Sequence, residues 1–164
     1  VLMFANKKKI PMVIGTTGFS YTEYEEIFKI SEQIPLVIAP NTSMGLVFLK
    51  KILDQSKQFL NFASSIEIHE KHHKEKIDSP SGTAINLKEH IKELTSKQEI
   101  EIFSVREGDS AGEHRLMLFF NEEVLEISHK VLDRSIFATG AIIAGKWLKD
   151  KQPGAYTMKD IYSS

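Results

Sequence analysis

Residues 10–39 read IPMVIGTTGFSYTEYEEIFKISEQIPLVIA and set the fold class of the chain. The apolar run at 10–14 ends on a Gly-Thr-Thr-Gly loop, which predicts a buried strand followed by a tight turn. A helix is predicted over about 22–33, and residues 36–39 predict a second buried strand. A strand, a helix and a strand in this order indicate one right-handed unit of a parallel α/β sheet.

Downstream of this unit, apolar residues recur in some segments about every 3.6 residues and in others every two residues. Helices are predicted to about residue 57, over 81–94 and over 134–148, and strands at 64–70, 99–105, 115–120 and 124–130. The last two strands form a predicted hairpin. The sequence therefore predicts an α/β plus α+β protein. Residues 1–42 and 134–164 belong to a partial, Rossmann-like parallel domain, and residues 43–133 form an inserted α+β domain with a mostly antiparallel sheet.

Composition excludes several function classes. The 164 residues carry a formal charge of −1, from 21 basic and 22 acidic side chains, so no overall field favours nucleic acid or a membrane surface. There is no cysteine, which excludes disulfides and thiol chemistry and fits the cytoplasm. The apolar runs are far shorter than the roughly 20 residues that span a bilayer. We therefore expect no nucleic-acid partner and no membrane partner.

The chain begins with Val1 rather than Met. Its first five residues and the lysines that follow resemble the last turns of a helix, so we expect a truncated N-terminus.

The segment His69-Glu70-Lys71-His72-His73 satisfies H-E-x-x-H, the zinc-hydrolase pattern. That pattern requires a helix, in which the two outer histidines share a face. Here the preceding residues alternate as a strand and Pro80 ends any helix soon afterwards, so His69 and His73 would not share a helix face. We predict no metal site, and a zinc hydrolase remains the alternative reading of these residues.

Residues 70–84, EKHHKEKIDSPSGTA, place histidines and lysines directly before a predicted helix start. Ser81 and Thr83 offer hydroxyls, Gly82 admits a ligand close to the backbone, and the first turn of a helix presents free N–H groups that favour anions. Each feature alone is more often a solvated loop or a simple helix cap. Together they predict a pocket for a small dianion with at least one proton donor.

The run E-x-H-H-x-x-K-x-D-x-P-S-G-T-A resembles the signature of dihydrodipicolinate reductases. Further segments agree with that family in order and spacing, namely VIGTTGF at 13–19, APNTSMG at 39–45, SVREGDSAGEH at 104–114, ISHK at 127–130 and FATGA at 137–141. The resemblance covers essentially the whole chain. It implies reduction of 4-hydroxy-tetrahydrodipicolinate, also described as dihydrodipicolinate, to tetrahydrodipicolinate with NADH or NADPH, in lysine and diaminopimelate biosynthesis.

The same resemblance implies roles for particular residues. His72 would be the acid/base residue and Lys76 the general acid, and the small-molecule dicarboxylate substrate would be bound by His73, Ser81, Gly82 and Thr83. The cofactor site would be lined by Gly15, Thr16, Thr17, Ala39, Pro40, Asn41, Thr42 and Arg134.

The resemblance also implies a homotetramer built through the sheets of the substrate domain. One family feature is not found, because this sequence contains no G-x-G-x-x-G turn for the cofactor pyrophosphate. We therefore expect weak NAD(P)H binding, and a catalytically incompetent fragment that retains the substrate domain is a further alternative.

Overall fold

The structure is a computed structural model that describes residues 1–162. They form two compact units, one of residues 1–47 with 135–162 and the other of Phe48–Arg134. The division thus falls at 47/48 and 134/135, compared with the 42/43 and 133/134 predicted from the sequence. No helix among the described residues combines the length and the apolar character that crossing a membrane requires.

The first unit is a parallel α/β layer. Its elements are α1 (Leu2–Lys8), β1 (Met12–Ile14), α2 (Tyr21–Ser31), β2 (Pro35–Ile38), the start of α3 (Met44–Gln55), α6 (Ser135–Leu148), β7 (Gly154–Tyr156) and α7 (Met158–Ile161). The strand order is β1-β2-β7, and both pairings are parallel. This confirms the predicted parallel layer. The sequence does not predict β7, because three residues are too few to show a period.

Apolar side chains cover both faces of this sheet. Helix α2 begins at a capping box in which Ser20 and Glu23 exchange hydrogen bonds, and its Ile27 and Ile30 pack into one cluster with Leu36. On the other face, Val37 packs with residues of α6 and α7. Burial on both faces explains why β1 and β2 read as continuous apolar runs.

The second unit is an α+β layer with a mixed sheet. Its elements are the rest of α3, α4 (Lys57–Leu60), β3 (Ser65–His72), α5 (Gly82–Leu94), β4 (Glu101–Arg106), β5 (Glu113–Phe120) and β6 (Glu123–Lys130). The strand order is β4-β3-β5-β6, with β3 parallel to β4 and the other two pairings antiparallel. The prediction of a mostly antiparallel sheet is therefore confirmed.

Strand β3 directs alternate side chains into the core of this unit. Ile66 and Ile68 pack with Leu87 and Ile91 of α5 in one buried cluster. The same buried row continues along the strand with Glu70 and His72. The apolar face of β3 thus ends in two ionisable side chains next to the N-terminus of α5.

Candidate active site

Glu70 is the centre of a buried polar cluster at the end of β3. Its side chain is fully buried and accepts hydrogen bonds from His72 Nδ1 and from the Ser81 backbone N–H at 3.2 Å. Arg106 donates two more, at 2.7 and 3.0 Å, in a forked arrangement. Strand pairing sets this geometry, because β4 runs parallel to β3 and places Arg106 opposite His72. Both carboxylate oxygens of Glu70 therefore accept hydrogen bonds. Oε1 accepts from Ser81 and Arg106, and Oε2 accepts from His72 and Arg106.

These contacts decide the charge of the cluster. Burial alone would raise the pKa of Glu70, but the hydrogen bonds from Arg106 and His72 outweigh it and hold that pKa at about 2. Burial lowers the pKa of His72, against the opposing effect of the Glu70 carboxylate. Near neutral pH, Glu70 is thus an anion paired with Arg106, and it accepts a hydrogen bond from the Nδ1–H group of His72.

The other ring nitrogen of His72 lies next to Gly112. A Cβ atom at residue 112 would stand 3.1 Å from His72 Nε2, and the φ of +145° there suits glycine. Within residues 1–162, Nε2 forms no hydrogen bond. Nε2 is therefore the ring nitrogen that is left for a ligand, because Nδ1 is bonded to Glu70.

His114 lies behind His72, on β5. The two rings meet edge to face, with centroids 5.2 Å apart, and His114 Nε2 lies 3.3 Å from the Ser81 hydroxyl. His114 is almost fully buried, and this burial, with the nearby His72 and His129, lowers its pKa to about 4. The ring is thus neutral near pH 7.

This burial predicts a loss of stability in acid. Because the pKa of His114 is lower in the folded than in the unfolded protein, its contribution is present above pH 6.5 and is lost as the pH falls towards 4. Between pH 6.5 and pH 4, we expect the free energy of unfolding of the wild type to fall by roughly 3 kcal/mol more than that of His114→Gln. Urea unfolding at several pH values measures the free energy of unfolding. If it depends on pH equally in the variant and the wild type, the prediction is wrong.

Lys76 lies in the loop between β3 and α5. Its ammonium group is 2.6 Å from the Asp78 carboxylate, and this hydrogen bond lowers the pKa of Asp78. Arg106 also donates a hydrogen bond, at 2.7 Å, to the Asp78 carbonyl oxygen. The guanidinium that pairs with Glu70 therefore also holds the loop that carries Lys76.

His73 and Arg134, which we assigned to the substrate and the cofactor, contact each other. Arg134 donates a hydrogen bond to His73 Nε2 at 2.8 Å, and the His73 backbone N–H is bonded to Ser110 at 2.8 Å. Both side chains belong to the second unit. The guanidinium of Arg134 is thus fixed beside His73.

The Pro-Ser-Gly-Thr helix start divides into buried and accessible parts. Ser81 is buried as the N-cap of α5, where its hydroxyl accepts from the Ala84 N–H at 3.2 Å and its own N–H is bonded to Glu70. Gly82 is exposed and Thr83 is half-buried. Ser81 therefore builds the site, while Gly82 and Thr83 are the positions that a ligand can reach.

The residues assigned to the cofactor from the first unit lie at the carboxyl ends of two paired strands. Gly15, Thr16 and Thr17 are exposed directly after β1. Residues 39–42 follow β2, and the Ala39 N–H is bonded to the Ile14 carbonyl at 2.9 Å. Ligands of parallel α/β sheets bind at such carboxyl ends.

Thr42 is a buried polar residue of this loop. Its hydroxyl donates a hydrogen bond to the Phe137 carbonyl at 2.7 Å, which ties the loop to the first turn of α6. Gly140, one turn later, allows this close approach, since a Cβ there would stand 2.0 Å from the Thr42 carbonyl oxygen. Thr42 therefore holds the loop in place through its side chain.

The H-E-x-x-H segment is not helical. His69 and Glu70 lie in β3, and His69 is bonded to Glu67 at 2.8 Å. Four residues of extended chain separate His69 from His73 by about 13 Å, which is too far for one zinc ion. Among the described residues, no group of three histidine or acidic side chains is arranged to hold a metal. Nothing in the structure supports the zinc-hydrolase alternative.

Several residues of this cluster received no role from the sequence: Glu70, Arg106, Gly112 and His114. One signal could have found the first of them. A glutamate in the buried register of an alternating strand must be paired, and the facing strand carries an arginine. Which residue of β4 faces Glu70 depends on the parallel register, which no sequence pattern gave.

Comparison with known proteins identifies the family. The model of the "Dihydrodipicolinate reductase, N-terminus" matches residues 1–42, and that of the C-terminus matches residues 45–162. A 4-hydroxy-tetrahydrodipicolinate reductase of Alkaliphilus oremlandii is 37% identical, over 98% of this chain and 73% of that protein. A protein of the same name from Brachyspira hyodysenteriae is 38% identical, over 96% of this chain and 75% of its own length.

A solved structure agrees with the fold. Dipicolinate-bound dihydrodipicolinate reductase from Paenisporosarcina sp. TG-14 superposes with a TM-score of 0.77 at 22% identity, over 98% of this chain and 68% of that one. On the two family models and the identity to these relatives, the chain belongs to the dihydrodipicolinate reductase family.

Proposed function

We propose that this chain reduces 4-hydroxy-tetrahydrodipicolinate to tetrahydrodipicolinate, with NADH or NADPH as the reductant, in lysine and diaminopimelate biosynthesis. The observation that carries the proposal is the grouping of His72, His73 and Lys76 with the N-terminus of α5 at one end of β3. Family membership supplies the reaction, and this cluster supplies groups that suit a dicarboxylate.

In this proposal the second unit binds and protonates the substrate. The charge of Lys76 attracts the carboxylates of the substrate, and the exposed first turn of α5 at Gly82 and Thr83 offers backbone donors. His73, a further proposed substrate contact, accepts a hydrogen bond from Arg134, which we assign to the cofactor. His72 Nε2 exchanges a proton with the substrate, and Lys76 is the general acid that neutralises the negative charge formed by hydride addition.

The first unit contributes the proposed contacts to the nicotinamide cofactor, which supplies the hydride when bound. Residues 15–17 and 39–42 fit this role because they form neighbouring loops after β1 and β2. Their small side chains allow a planar ring to approach the backbone. NADH and NADPH remain equal candidates.

We also propose a homotetramer that assembles through the sheet of the second unit, in the cytoplasm. Strands β4 and β6 form the two edges of that sheet, and apolar residues such as Phe103, Val105, Val124 and Leu125 are about half exposed there. Exposed apolar edges of this kind favour pairing with another copy. The sequence without cysteine suits a reducing compartment. Light scattering of the purified chain should give four times the monomer mass, and a monomer would contradict the assembly.

The decisive experiment titrates the chain with pyridine-2,6-dicarboxylate (dipicolinate), a planar mimic of the substrate, and then measures substrate-dependent oxidation of NADH and NADPH. The expected result is saturable binding that weakens with added salt, since charge attracts the ligand. Benzoate, with one carboxylate, is the matched control and should bind more weakly. A chain that binds neither ligand does not have the proposed function.

A further inference from the structure

A fully buried carboxylate is costly unless its charge is compensated, and the Glu70 side chain has no exposed surface. Three groups compensate it: the forked guanidinium of Arg106, the Ser81 N–H and His72 Nδ1. They lie on β4, at the start of α5 and on β3, respectively. The carboxylate therefore joins strand β3, strand β4 and the start of α5 at one point.

We propose that Glu70 and Arg106 are positioning residues for His72, so that the ring presents Nε2, and only Nε2, to the substrate. This rests on the proposed function. An ionised carboxylate can only accept hydrogen bonds, so the neutral ring of His72 must keep its proton on Nδ1. Nε2 then carries the lone pair on the side of Gly112, where the lack of a side chain keeps a Cβ atom from standing 3.1 Å from this nitrogen.

Arg106 has two tasks in this arrangement. Its charge keeps Glu70 ionised in spite of burial, and its bond to the Asp78 carbonyl oxygen fixes the loop between β3 and α5. Lys76 lies in that loop. The same guanidinium thus fixes the spacing between His72, the proposed acid/base residue, and Lys76, the proposed general acid.

The charged and titratable groups that face His72 come from several elements. They are Glu70 on its own strand, Arg106 on β4, His114 on β5 and Lys76 in the following loop. Glu70 alone attracts a proton to the ring, while the two cations oppose protonation. Removing the Glu70 charge should therefore make His72 harder to protonate.

Strand β3 contains its own control for this inference. Glu67 and His69 repeat the Glu-x-His spacing, and their side chains are bonded at 2.8 Å. They point to the opposite face of the sheet, where both side chains are partly exposed. This pair is joined through Nε2 of the histidine and has no contact with the cluster around Glu70. Glu67→Gln therefore makes the same chemical change outside the site.

The test uses two-bond ¹H–¹⁵N correlation spectra of the histidine rings, which report the tautomer and its titration, with His72 assigned from a His72→Gln variant. In the wild type we expect the proton on Nδ1 of His72. In Glu70→Gln, the amide oxygen is drawn to Arg106 and the Ser81 N–H, so the amide NH₂ faces Nδ1. The ring proton should then move to Nε2 and the His72 titration should move to lower pH. Glu67→Gln should keep the wild-type pattern for His72.

The kinetic consequence separates positioning from binding. We expect turnover of Glu70→Gln to fall by about 10- to 100-fold, as when a carboxylate that orients a functional histidine is removed. Dipicolinate affinity should change little, because the proposed carboxylate contacts remain.

An Nε2–H tautomer in the wild type, or an unchanged His72 signal in a folded Glu70→Gln protein, would overturn the inference. If Glu70→Gln does not fold, the position of the ring proton of His72 in the wild type tests the inference by itself. Absence of dipicolinate binding by the wild type would instead refute the proposed function, and the spectra would still decide how His72 is held.

Discussion

Turnover of the substrate falls by about 10²- to 10⁴-fold in His72→Ala and in Lys76→Ala, which is the range expected for loss of a positioned acid/base group. His72 lies at the end of β3 with Nε2 free to meet a ligand, and Lys76 is held in the adjoining loop. Steady-state kinetics with NADH and NADPH measure the loss. Circular dichroism should show an unchanged fold, because neither residue belongs to the apolar cluster of its unit.

Lys74→Ala is the matched control for the lysine variant. Lys74 is exposed two residues before Lys76, so its removal deletes the same charge from the same loop. We expect its turnover to stay close to that of the wild type. If His72→Ala and Lys76→Ala also turned over normally, both catalytic assignments would be wrong.

Gly140→Ala should destabilise the first unit by about 3 kcal/mol, at the upper end of the cost of overpacking. The added Cβ would stand 2.0 Å from the Thr42 carbonyl oxygen, and that atom belongs to the backbone and has little freedom to move. Relief would require α6 to move from the loop, which would break the bond from Thr42 to Phe137. Urea unfolding followed by circular dichroism measures the change.

Gly145→Ala provides the control in the same helix. A Cβ at residue 145 meets no atom within 4 Å, so only the gain in helix propensity, about 0.5–1 kcal/mol, should appear. The two substitutions are chemically identical, and the difference between them isolates the contact with Thr42. Equal stability of the two variants would show that α6 does not depend on this close approach.

Much of the architecture could be predicted because each element carries its own period. The apolar runs of β1 and β2 and the alternation of β3 are local patterns, and the observed strands lie within a few residues of the predicted ones. Strand β7 was missed because its three residues show no period. The parallel pairing of β3 with β4 was also not predicted, since pairing joins distant parts of the chain.

The sequence by itself determined the class of the protein, the family resemblance and the segment in which the chemistry is concentrated. Residues 70–84 carry histidines, lysines and a helix start close together along the chain, so their grouping needs little tertiary information. The tertiary structure alone decided which of them a ligand can reach. It buried Ser81, tied Thr42 to α6 and joined Glu70 to Arg106. The physical reason is that burial and hydrogen-bond partners depend on strand register and helix packing, which bring together residues far apart in the chain.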